Sequence, residues 1–254
     1  MNTRPLISVI ITTYNRPNHV INAINSVINQ TYRNIEIIVI DDNSTLENFN
    51  ILTSLMKKLD FDIIVIRNTE NKGACFSRNE GIRAAKGVYI CGLDDDDEFT
   101  PDRIWKLFEF YQSFKKPPSL VCSYSKIINL TTGKTLNEKH TNSRITLSTI
   151  LKTNKVGAQV LVTKENLINS GLFDEKLPAS QDHDMWVRII EKYGDAFKLN
   201  EILYISYVDE NIDRVSKKRV SGLILFIKKH KNKMNFYQYI FNILRLIKMK
   251  LKSF

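Results

Sequence analysis

A chain of 254 residues with 43% hydrophobic and 25% charged residues suits one α/β domain with a small extension, and its composition is that of an ordinary globular protein. The net charge of +10 arises in the C-terminal part, because the residues after Asp213 include twelve Lys or Arg and no Asp or Glu, which leaves −2 for the rest. This distribution argues against a basic nucleic-acid cleft in the body of the protein and indicates a tail that meets an anionic surface.

The cysteines and the apolar segments exclude two further classes of protein. Cys75, Cys91 and Cys122 are an odd number at wide spacing, which is typical of buried reduced thiols and excludes a CxxC metal site. No segment reaches the roughly 18 uninterrupted apolar residues of a membrane span, and the apolar run near the N-terminus is too short for a signal peptide. We therefore expect a soluble or surface-associated cytoplasmic protein.

The first part of the chain alternates apolar strands with amphipathic helices, and the pattern becomes less regular after Ser119. Strands are predicted at 6–13, 35–40, 62–66, 88–93, 119–128, 157–163 and 196–204. Helices are predicted from Pro17, at 46–59, at 74–86 with Gly87 as the C-cap, from an N-cap at Thr100, and at 181–193. This alternation predicts an α/β fold, a Rossmann-like and mostly parallel sheet flanked by helices.

Acidic residues follow two of these strands, whereas a glycine-rich phosphate-binding turn is missing. The first glycine is Gly73, so the turn TYNRP at residues 13–17 cannot form a glycine-rich cradle. The pair Asp41-Asp42 and the four aspartates at 94–97 fall at carboxyl ends of strands, where open α/β sheets bind ligands. A divalent ion such as Mg²⁺ or Mn²⁺ would relieve the repulsion among these carboxylates and bridge a diphosphate. The alternative is a solvated acidic loop that caps the next helix.

Four segments, taken in order, resemble the motifs of family 2 glycosyltransferases with the GT-A fold. They are SVIITTYNRP, IEIIVIDDNST, NKGACFSRNEGIRAAKG and YICGLDDDDEFTPDRI, and they match over about residues 6–110 and more weakly to about 205. The resemblance implies a GT-A domain at 1–210, with a nucleotide-binding half at about 1–110 and an acceptor half at about 111–210. A basic amphipathic helical tail at 211–254 would follow it.

The resemblance also implies a donor site at the ends of the first strands. Carried over residue by residue, the nucleotide-binding positions are Thr12, Tyr14, Asp42, Arg78, Asp94 and Asp95. Thr12 and Tyr14 would contact the base, and Asp42 would accept from a uracil N–H. Asp94 and Asp96 match the Asp-x-Asp motif, with Asp96 at the direct metal ligand, so the implied cofactor is Mn²⁺ or Mg²⁺. For Tyr14 the sequence alone leaves a buried core aromatic equally open.

The segment SQDHDMWVRI predicts a second catalytic element. Read as a helix, it places Asp182 above an apolar stripe that includes Trp186, where a partly desolvated carboxylate can act as a general base. The resemblance agrees, because the base of the family matches Asp182, although Gln181 stands where the family more often has Glu. An Asp that only favours the helix dipole is the alternative. Gln181, His183 and Trp186 are the candidate acceptor-binding residues, and a structural role is equally open for His183.

The tail bears on the acceptor. The predicted helix at 236–251 carries an apolar stripe among Lys and Arg, made of Tyr237, Ile240, Phe241, Leu244, Ile247 and Leu251. Such a helix lies in the interface of an anionic membrane, unless it packs on the domain with a solvated basic face. The resemblance is closest to bacterial enzymes that extend lipid-pyrophosphate-linked saccharides for O-antigen or capsule repeats at the inner face of the cell membrane.

These expectations describe a metal-dependent inverting hexosyltransferase that is peripheral on the cytoplasmic face of the membrane. Asp182 would deprotonate an acceptor hydroxyl, and one displacement on a UDP-sugar of the glucose or galactose type would give a β-linkage. Two alternatives remain, a nucleic-acid-binding module that uses the basic tail and a catalytically inactive membrane-associated scaffold. The nearly neutral body argues against the first, and the intact Asp94, Asp96 and Asp182 argue against the second.

Overall fold

The computed structural model describes residues 4–137, 144–157, 159–208 and 216–251. The strands are β1 (Ile7–Thr13), β2 (Ile35–Asp41), β3 (Ile63–Arg67), β4 (Tyr89–Asp94), β5 (Asp97–Phe99), β6 (Val121–Asn129), β7 (Thr135–Asn137), β8 (Arg144–Ile145), β9 (Val160–Thr163) and β10 (Ala196–Val208). The helices are α1 (Pro17–Ile28), α2 (Leu46–Met56), α3 (Ala74–Ala84), α4 (Arg103–Gln112), α5 (Leu147–Ile150), α6 (Lys164–Asn169), α7 (Gln181–Tyr193), α8 (Ser216–His230) and α9 (Phe236–Leu251). A 3₁₀ turn at Lys231–Lys233 lies between α8 and α9.

The strands form one mixed sheet in the order β3-β2-β1-β4-β9-β6-β10-β5, with β7 beside β6 and β8 beside β10. Strands β3, β2, β1 and β4 are parallel, as expected for strands with continuous apolar runs. Strand β9 is antiparallel to β4 and β6, and β5 is antiparallel to β10. The predicted α/β fold with a helix-flanked sheet is confirmed, and its antiparallel strands, apart from β5, lie in the less regular part of the sequence after Ser119. The parallel part aligns the carboxyl ends of β1, β2 and β4 at one edge.

Helices cover both faces of the sheet because successive residues of a strand point to opposite sides. Ile7, Val9 and Ile11 of β1 are buried in the core beneath α1, α2 and α4. Ile10 of the same strand is buried in the other core, to which α3, α7 and α8 contribute. The result is a three-layer α/β/α arrangement that holds the carboxyl edge of the sheet rigidly.

The predicted end of α3 is wrong. The helix ends at Ala84 and is capped by Ala85, so Gly87 is not its C-cap. Gly87 instead lies against β1, where a Cβ atom would be 2.7 Å from the backbone nitrogen of Ser8 and 2.9 Å from the backbone oxygen of Leu6. The glycine is therefore required by the close approach of two backbones.

The predicted start of α4 is also wrong. Its N-cap is Asp102, two residues after the predicted Thr100. The backbone N–H of Thr100 donates to the carbonyl of Leu203 at 3.1 Å, next to the short antiparallel pairing of β5 with β10. Thr100 therefore pairs with β10 of the sheet and does not serve as the N-cap of α4.

The two C-terminal helices pack against the domain. Leu223 and Phe226 of α8 are buried in the core that includes α7. Gln238 and Asn242 of α9 are also buried, and the Asn242 side-chain amide donates to the carbonyl of Leu151 at 2.9 Å. The expected basic helical extension is present. It is not a separate tail, because α8 and one side of α9 pack on the domain. None of the helices in the described parts of the chain is long and apolar enough to cross a bilayer.

Candidate active site

The loops after β1 and β2 are fastened to each other by asparagines. Asn15 and Asn43 have φ angles of 55° and 61°, a left-handed conformation that Asn adopts more readily than most residues. The side-chain oxygen of Asn15 accepts from the backbone N–H of Thr45 at 2.8 Å, and the backbone N–H of Asn15 donates to the hydroxyl of Ser44 at 2.8 Å. Asparagine therefore takes the left-handed positions of these turns, and hydrogen bonds to Asn15 hold the two loops together.

The predicted base-contacting residues lie at the carboxyl ends of β1 and β2. Tyr14 is 47% exposed, so it is not a core aromatic. Thr12 of β1 is in register with Asp94 of β4. Asp42 is buried and accepts three hydrogen bonds, from the Asn68 amide at 2.7 Å and from the backbone N–H groups of residues 72 and 73 at 3.0 and 2.7 Å. Because a carboxylate offers about four lone pairs, Asp42 holds the start of α3 and retains capacity for about one further donor.

The four consecutive aspartates are divided between two strands and the turn that joins them, because β4 ends and β5 begins within the run. Asp95 is buried and accepts from the hydroxyl of Thr13 at 2.8 Å. Arg16 pairs with both Asp95 and Asp96, at 3.3 and 3.1 Å. Arg16 is thus a site residue that the sequence reasoning missed, although it belongs to the first motif. Its charge offsets the repulsion between these neighbouring carboxylates.

Asp97 makes its hydrogen bonds to β10, and it remains close to the charges of Asp94 and Asp96. Its carboxylate accepts from the Tyr204 hydroxyl at 2.7 Å and from the backbone N–H of Tyr207 at 3.0 Å. Burial, followed by the nearby charge of Asp94, raises the pKa of Asp97 to about 7.

Asp94 and Asp96, together with Asp97, line a cavity of about 270 Å³ next to β6 and β10. Within the described ranges, no three His, Cys, Asp or Glu side chains come together as a complete metal site. Mg²⁺ at nucleotide sites is commonly held by one or two carboxylates together with phosphate oxygens and water. The donor set of two carboxylates beside an open cavity therefore fits a divalent ion that shares its coordination with a diphosphate.

Three predicted residues meet where α3, β4 and α7 converge. The guanidinium of Arg78 donates to the Asp94 carboxylate at 2.8 Å. Asp182, in the first turn of α7, lines a small, mostly apolar cavity together with Arg78 and Trp186. Burial raises the pKa of Asp182 to about 6, an effect that the charge of Arg78 opposes and the charge of Asp94 reinforces. A carboxylate with a pKa in this range suits proton transfer near neutral pH.

The candidate acceptor residues differ in their surroundings. Gln181 is half-buried at the start of α7. Trp186 is buried and its indole N–H donates to the carbonyl of Gly157 at 2.9 Å. His183 is buried on another side of the helix, where its Nε2–H donates to the carbonyl of Ile150 at 2.6 Å and burial lowers its pKa to about 4. The structure therefore brings Trp186 to the cavity of Asp182 and gives His183 a structural role.

A glutamine that no sequence motif singled out connects the two cavities. Gln159 lines both the cavity of Asp182 and the cavity of Asp94 and Asp96. Its side chain lies so close to Gly92 of β4 that any Cβ at that glycine would overlap it. Nothing in the sequence around Gln159 distinguishes it from other polar residues, so the close contact with Gly92 could be found only in the structure.

Comparison with known proteins gives a family and a set of relatives. The model of the family described as glycosyl transferase family 2 matches residues 8–175. A protein of Escherichia coli K12 named for colanic acid biosynthesis, WcaA, is 36% identical over 92% of this chain and 85% of its own length. A Bacillus subtilis protein named for teichuronic acid biosynthesis, TuaG, is 29% identical over 80% of this chain and 79% of its own.

Solved structures share the fold at low sequence identity. Staphylococcus aureus TarS superposes with a TM-score of 0.71 at 18% identity, over 96% of this chain and 43% of that one. A shorter form of TarS, solved with UDP-GlcNAc, gives the same TM-score over 97% of this chain and 72% of that chain. The mannosyltransferase PcManGT of Pyrobaculum calidifontis, solved with GDP-Man and Mn²⁺, gives 0.66 at 16% identity, over 96% of this chain and 69% of that one. The architecture is thus that of the GT-A glycosyltransferases, and the chain belongs to glycosyl transferase family 2.

Proposed function

We propose that this protein transfers a hexose from a UDP-sugar, with inversion, to a hydroxyl of a lipid-pyrophosphate-linked saccharide in the synthesis of a cell-surface polysaccharide. The observation that carries the proposal is the convergence of Asp182, Arg78 and Asp94, with Asp96 at the adjoining cavity. Such a displacement needs a base, which would be Asp182, and positive charge near the leaving group, which Arg78 and a metal ion on Asp94 and Asp96 would supply.

In the proposed reaction, ionised Asp182 takes the proton of the acceptor hydroxyl as its oxygen bonds to the anomeric carbon. The bond from that carbon to the UDP oxygen breaks in the same step, which inverts the anomeric centre. Arg78 bonds to Asp94 at 2.8 Å and lines the cavity of Asp182, so its charge favours the ionised form of the base. A divalent ion held by Asp94 and Asp96 would neutralise charge on the departing diphosphate.

The donor proposal rests on Tyr14 and Asp42 at the carboxyl ends of β1 and β2. Tyr14 offers an exposed ring for a base, and the remaining acceptor capacity of Asp42 suits the imide N–H of uracil. Among the structures of similar fold, TarS is described with UDP-GlcNAc and PcManGT with GDP-Man. The relatives in E. coli and B. subtilis are named for colanic acid and teichuronic acid biosynthesis, which supports the proposed product class.

The direct test is release of UDP from a panel of UDP-sugars in the presence of a synthetic lipid-pyrophosphate saccharide, with Mn²⁺, with Mg²⁺, or with EDTA. We expect release to require a metal and to be abolished by Asp96→Asn. Asp60→Asn, which removes the same charge from an exposed residue between α2 and β3, should leave release unchanged. Full activity in EDTA, or in Asp96→Asn, would contradict the proposed donor site.

For the acceptor, we infer that α9 rests on an anionic membrane at the cytoplasmic face. The side of α9 that packs on the domain is formed in part by Gln238 and Asn242, whereas its apolar stripe faces outward. Tyr237, Leu244 and Leu251 are 79%, 60% and 74% exposed. A helix that only packs on its own domain would bury this stripe, and an exposed apolar row among basic residues is what adsorbs to anionic lipid.

Vesicle co-sedimentation tests this inference without deleting the helix. Replacing Tyr237 and Leu244 with Glu should weaken binding to vesicles that contain anionic lipid, and binding of the wild type should fall as salt rises. Leu130→Glu, at an exposed position after β6, is the matched control and should bind as the wild type does. Equal sedimentation of the Tyr237/Leu244 variant and the wild type would exclude α9 as the membrane contact.

A further inference from the structure

Helix α8 contacts the start of the helix that carries Asp182 at three successive points. Gly222, Phe226 and the pair at 229–230 recur at intervals of about four residues, so they lie along one face of α8. Opposite them lie Ala179, His183 and Asp184, which flank Asp182 on both sides. The contacts therefore surround the proposed base without involving it directly.

The first contact is a close approach of backbones. A Cβ atom at Gly222 would lie 2.7 Å from the Cβ and from the carbonyl oxygen of Ala179 and 2.8 Å from its carbonyl carbon. Ala179 precedes Ser180, the N-cap of α7, whose φ of 64° places it in the left-handed region. A side chain at residue 222 can thus be accommodated only if α8 or the backbone that leads into α7 moves.

The second contact is a stack of aromatic rings. The ring of Phe226 is parallel to that of His183, with centroids 4.0 Å apart and an interplanar angle of 18°. His183 is immediately next to Asp182, and its ring also hydrogen-bonds to the carbonyl of Ile150 in α5. The ring of His183 is therefore clamped between α5 and α8, which fixes the first turn of α7.

The third contact is a buried ionic one. The Asp184 carboxylate is fully buried and accepts from His230 at 2.8 Å and from Lys229 at 2.9 Å. Arg188, one turn further along α7, reaches the same carboxylate at 2.9 Å. The backbone N–H of Asp184 donates to the carbonyl of Ser180 at 3.0 Å, so this anchor lies within the first turn of the helix.

We propose that Gly222 and Phe226 of α8 are positioning residues that hold Asp182 in its productive orientation. The proposal rests on the proposed role of Asp182 as the base. It gives the C-terminal segment a part in the chemistry that is separate from any contact of α9 with a membrane. The requirement is geometric, since a displacement of about 1 Å at a catalytic group can lower turnover by about 100-fold.

The test compares Gly222→Ala and Phe226→Leu with Ile224→Ala, a change at an exposed residue of the same helix. Alanine is a better helix former than glycine, so a purely local effect on α8 would leave the variant intact or more stable. We expect Gly222→Ala to lower kcat by about tenfold or more and Phe226→Leu by several-fold. The KM for the UDP-sugar should stay unchanged, because the donor residues lie on or directly after β1, β2 and β4 and on α3, and none of them takes part in the three contacts of α8. Hydrogen exchange at the backbone N–H of Asp184 should become faster in both variants.

Three outcomes would overturn the proposal. One is wild-type kcat in both variants, another is an equal loss in Ile224→Ala, and the third is a parallel rise in the donor KM. Should Gly222→Ala fail to fold, Phe226→Leu decides the question, since it keeps an apolar side chain of similar size. Asp182→Asn serves as the reference: if it retains full turnover, the proposed function fails, whereas a loss there with full activity in the α8 variants rejects the positioning role alone.

Discussion

Replacing Asp184 with Asn should destabilise the protein markedly. Asp184 is fully buried, and three basic side chains, those of Arg188, Lys229 and His230, converge on its carboxylate within 3.0 Å. Asparagine has nearly the same shape, so the change removes the charge without opening a cavity. The charge of Arg188 would then face a neutral amide, which cannot balance it, while Lys229 would keep its ion pair with Asp174 at 2.7 Å.

The size of the effect follows from the burial of these groups. Removing one partner of a buried ion pair costs about 3–5 kcal/mol, because the remaining charge is left uncompensated. The side chains of Arg188 and Lys229 are 16% and 34% exposed, so water can partly solvate them, and we expect a loss of about 3 kcal/mol. For a chain of this length, that loss corresponds to a decrease in melting temperature of roughly 6–12 °C.

Acid should reduce the difference in the free energy of unfolding between the wild type and Asp184→Asn. Burial alone would raise the pKa of Asp184, but the hydrogen bond from His230 and the charges of Arg188 and Lys229 hold it well below its usual range. A depressed carboxyl pKa stabilises the fold above the unfolded value of about 3.9, and this contribution is lost as the pH falls toward the folded value. The advantage of the wild type should therefore be full near about pH 7 and decline below about pH 4.

Denaturant unfolding of wild type and Asp184→Asn measures both effects. Glu191→Gln is the control, because Glu191 pairs with Lys233 at the surface and such pairs contribute less than about 1 kcal/mol. A loss below about 1 kcal/mol in Asp184→Asn, or a difference that does not change with pH, would refute the assignment of Asp184 as the ionic anchor between α7 and α8.

Three further predictions concern the base, the sheet and the C-terminal helices. Turnover should fall about tenfold between about pH 7 and pH 5, because Asp182 acts ionised and burial raises its pKa to about 6; a flat pH–rate profile would exclude it as the base. Gly87→Ala should lower the free energy of unfolding by about 2 kcal/mol, because the new Cβ overlaps the backbone of β1. Gly133→Ala should lower it by about 1 kcal/mol, because its Cβ would meet no atom within 4 Å and only the φ of 68° is unfavourable. Equal losses would contradict the backbone contact at Gly87. Deleting residues 216–251 should make the protein aggregate, because the deletion removes Phe226 and its neighbours and exposes the core that they cover. A monomeric deletion variant with an unchanged melting temperature would show that α8 is dispensable for the fold.

The alternation of strands and helices in the first half could be predicted because each strand is a continuous β-branched run and each helix has its own apolar stripe. The ends of β1, β2 and β4 could be located for the same reason, and with them Thr12, Asp42 and Asp94. Helix boundaries at Gly87 and Thr100 could not, since long-range backbone contacts with β1 and β10 compete there with local capping.

The division of residues 94–97 could not be predicted either, because four identical residues have no periodicity that reveals where one strand ends and the next begins. The partners of the aspartates, Arg16 and Tyr204, lie 79 and 107 residues away in sequence. In the C-terminal part, the apolar stripe of 236–251 was recognisable, but its outward orientation depends on Gln238 and Asn242. Polar residues that anchor a helix through backbone carbonyls look like solvated residues in a sequence.

The central claim, that Asp182 is the base of a transferase whose donor is held by other residues, is tested most directly by Asp182→Asn. Transfer from a UDP-sugar and calorimetric binding of UDP with Mn²⁺ should be measured on the same preparation. We predict that turnover falls by about 100-fold or more while the affinity for UDP stays within about twofold of the wild type. Unchanged turnover, or a collapse of UDP binding with turnover largely retained, would contradict the account.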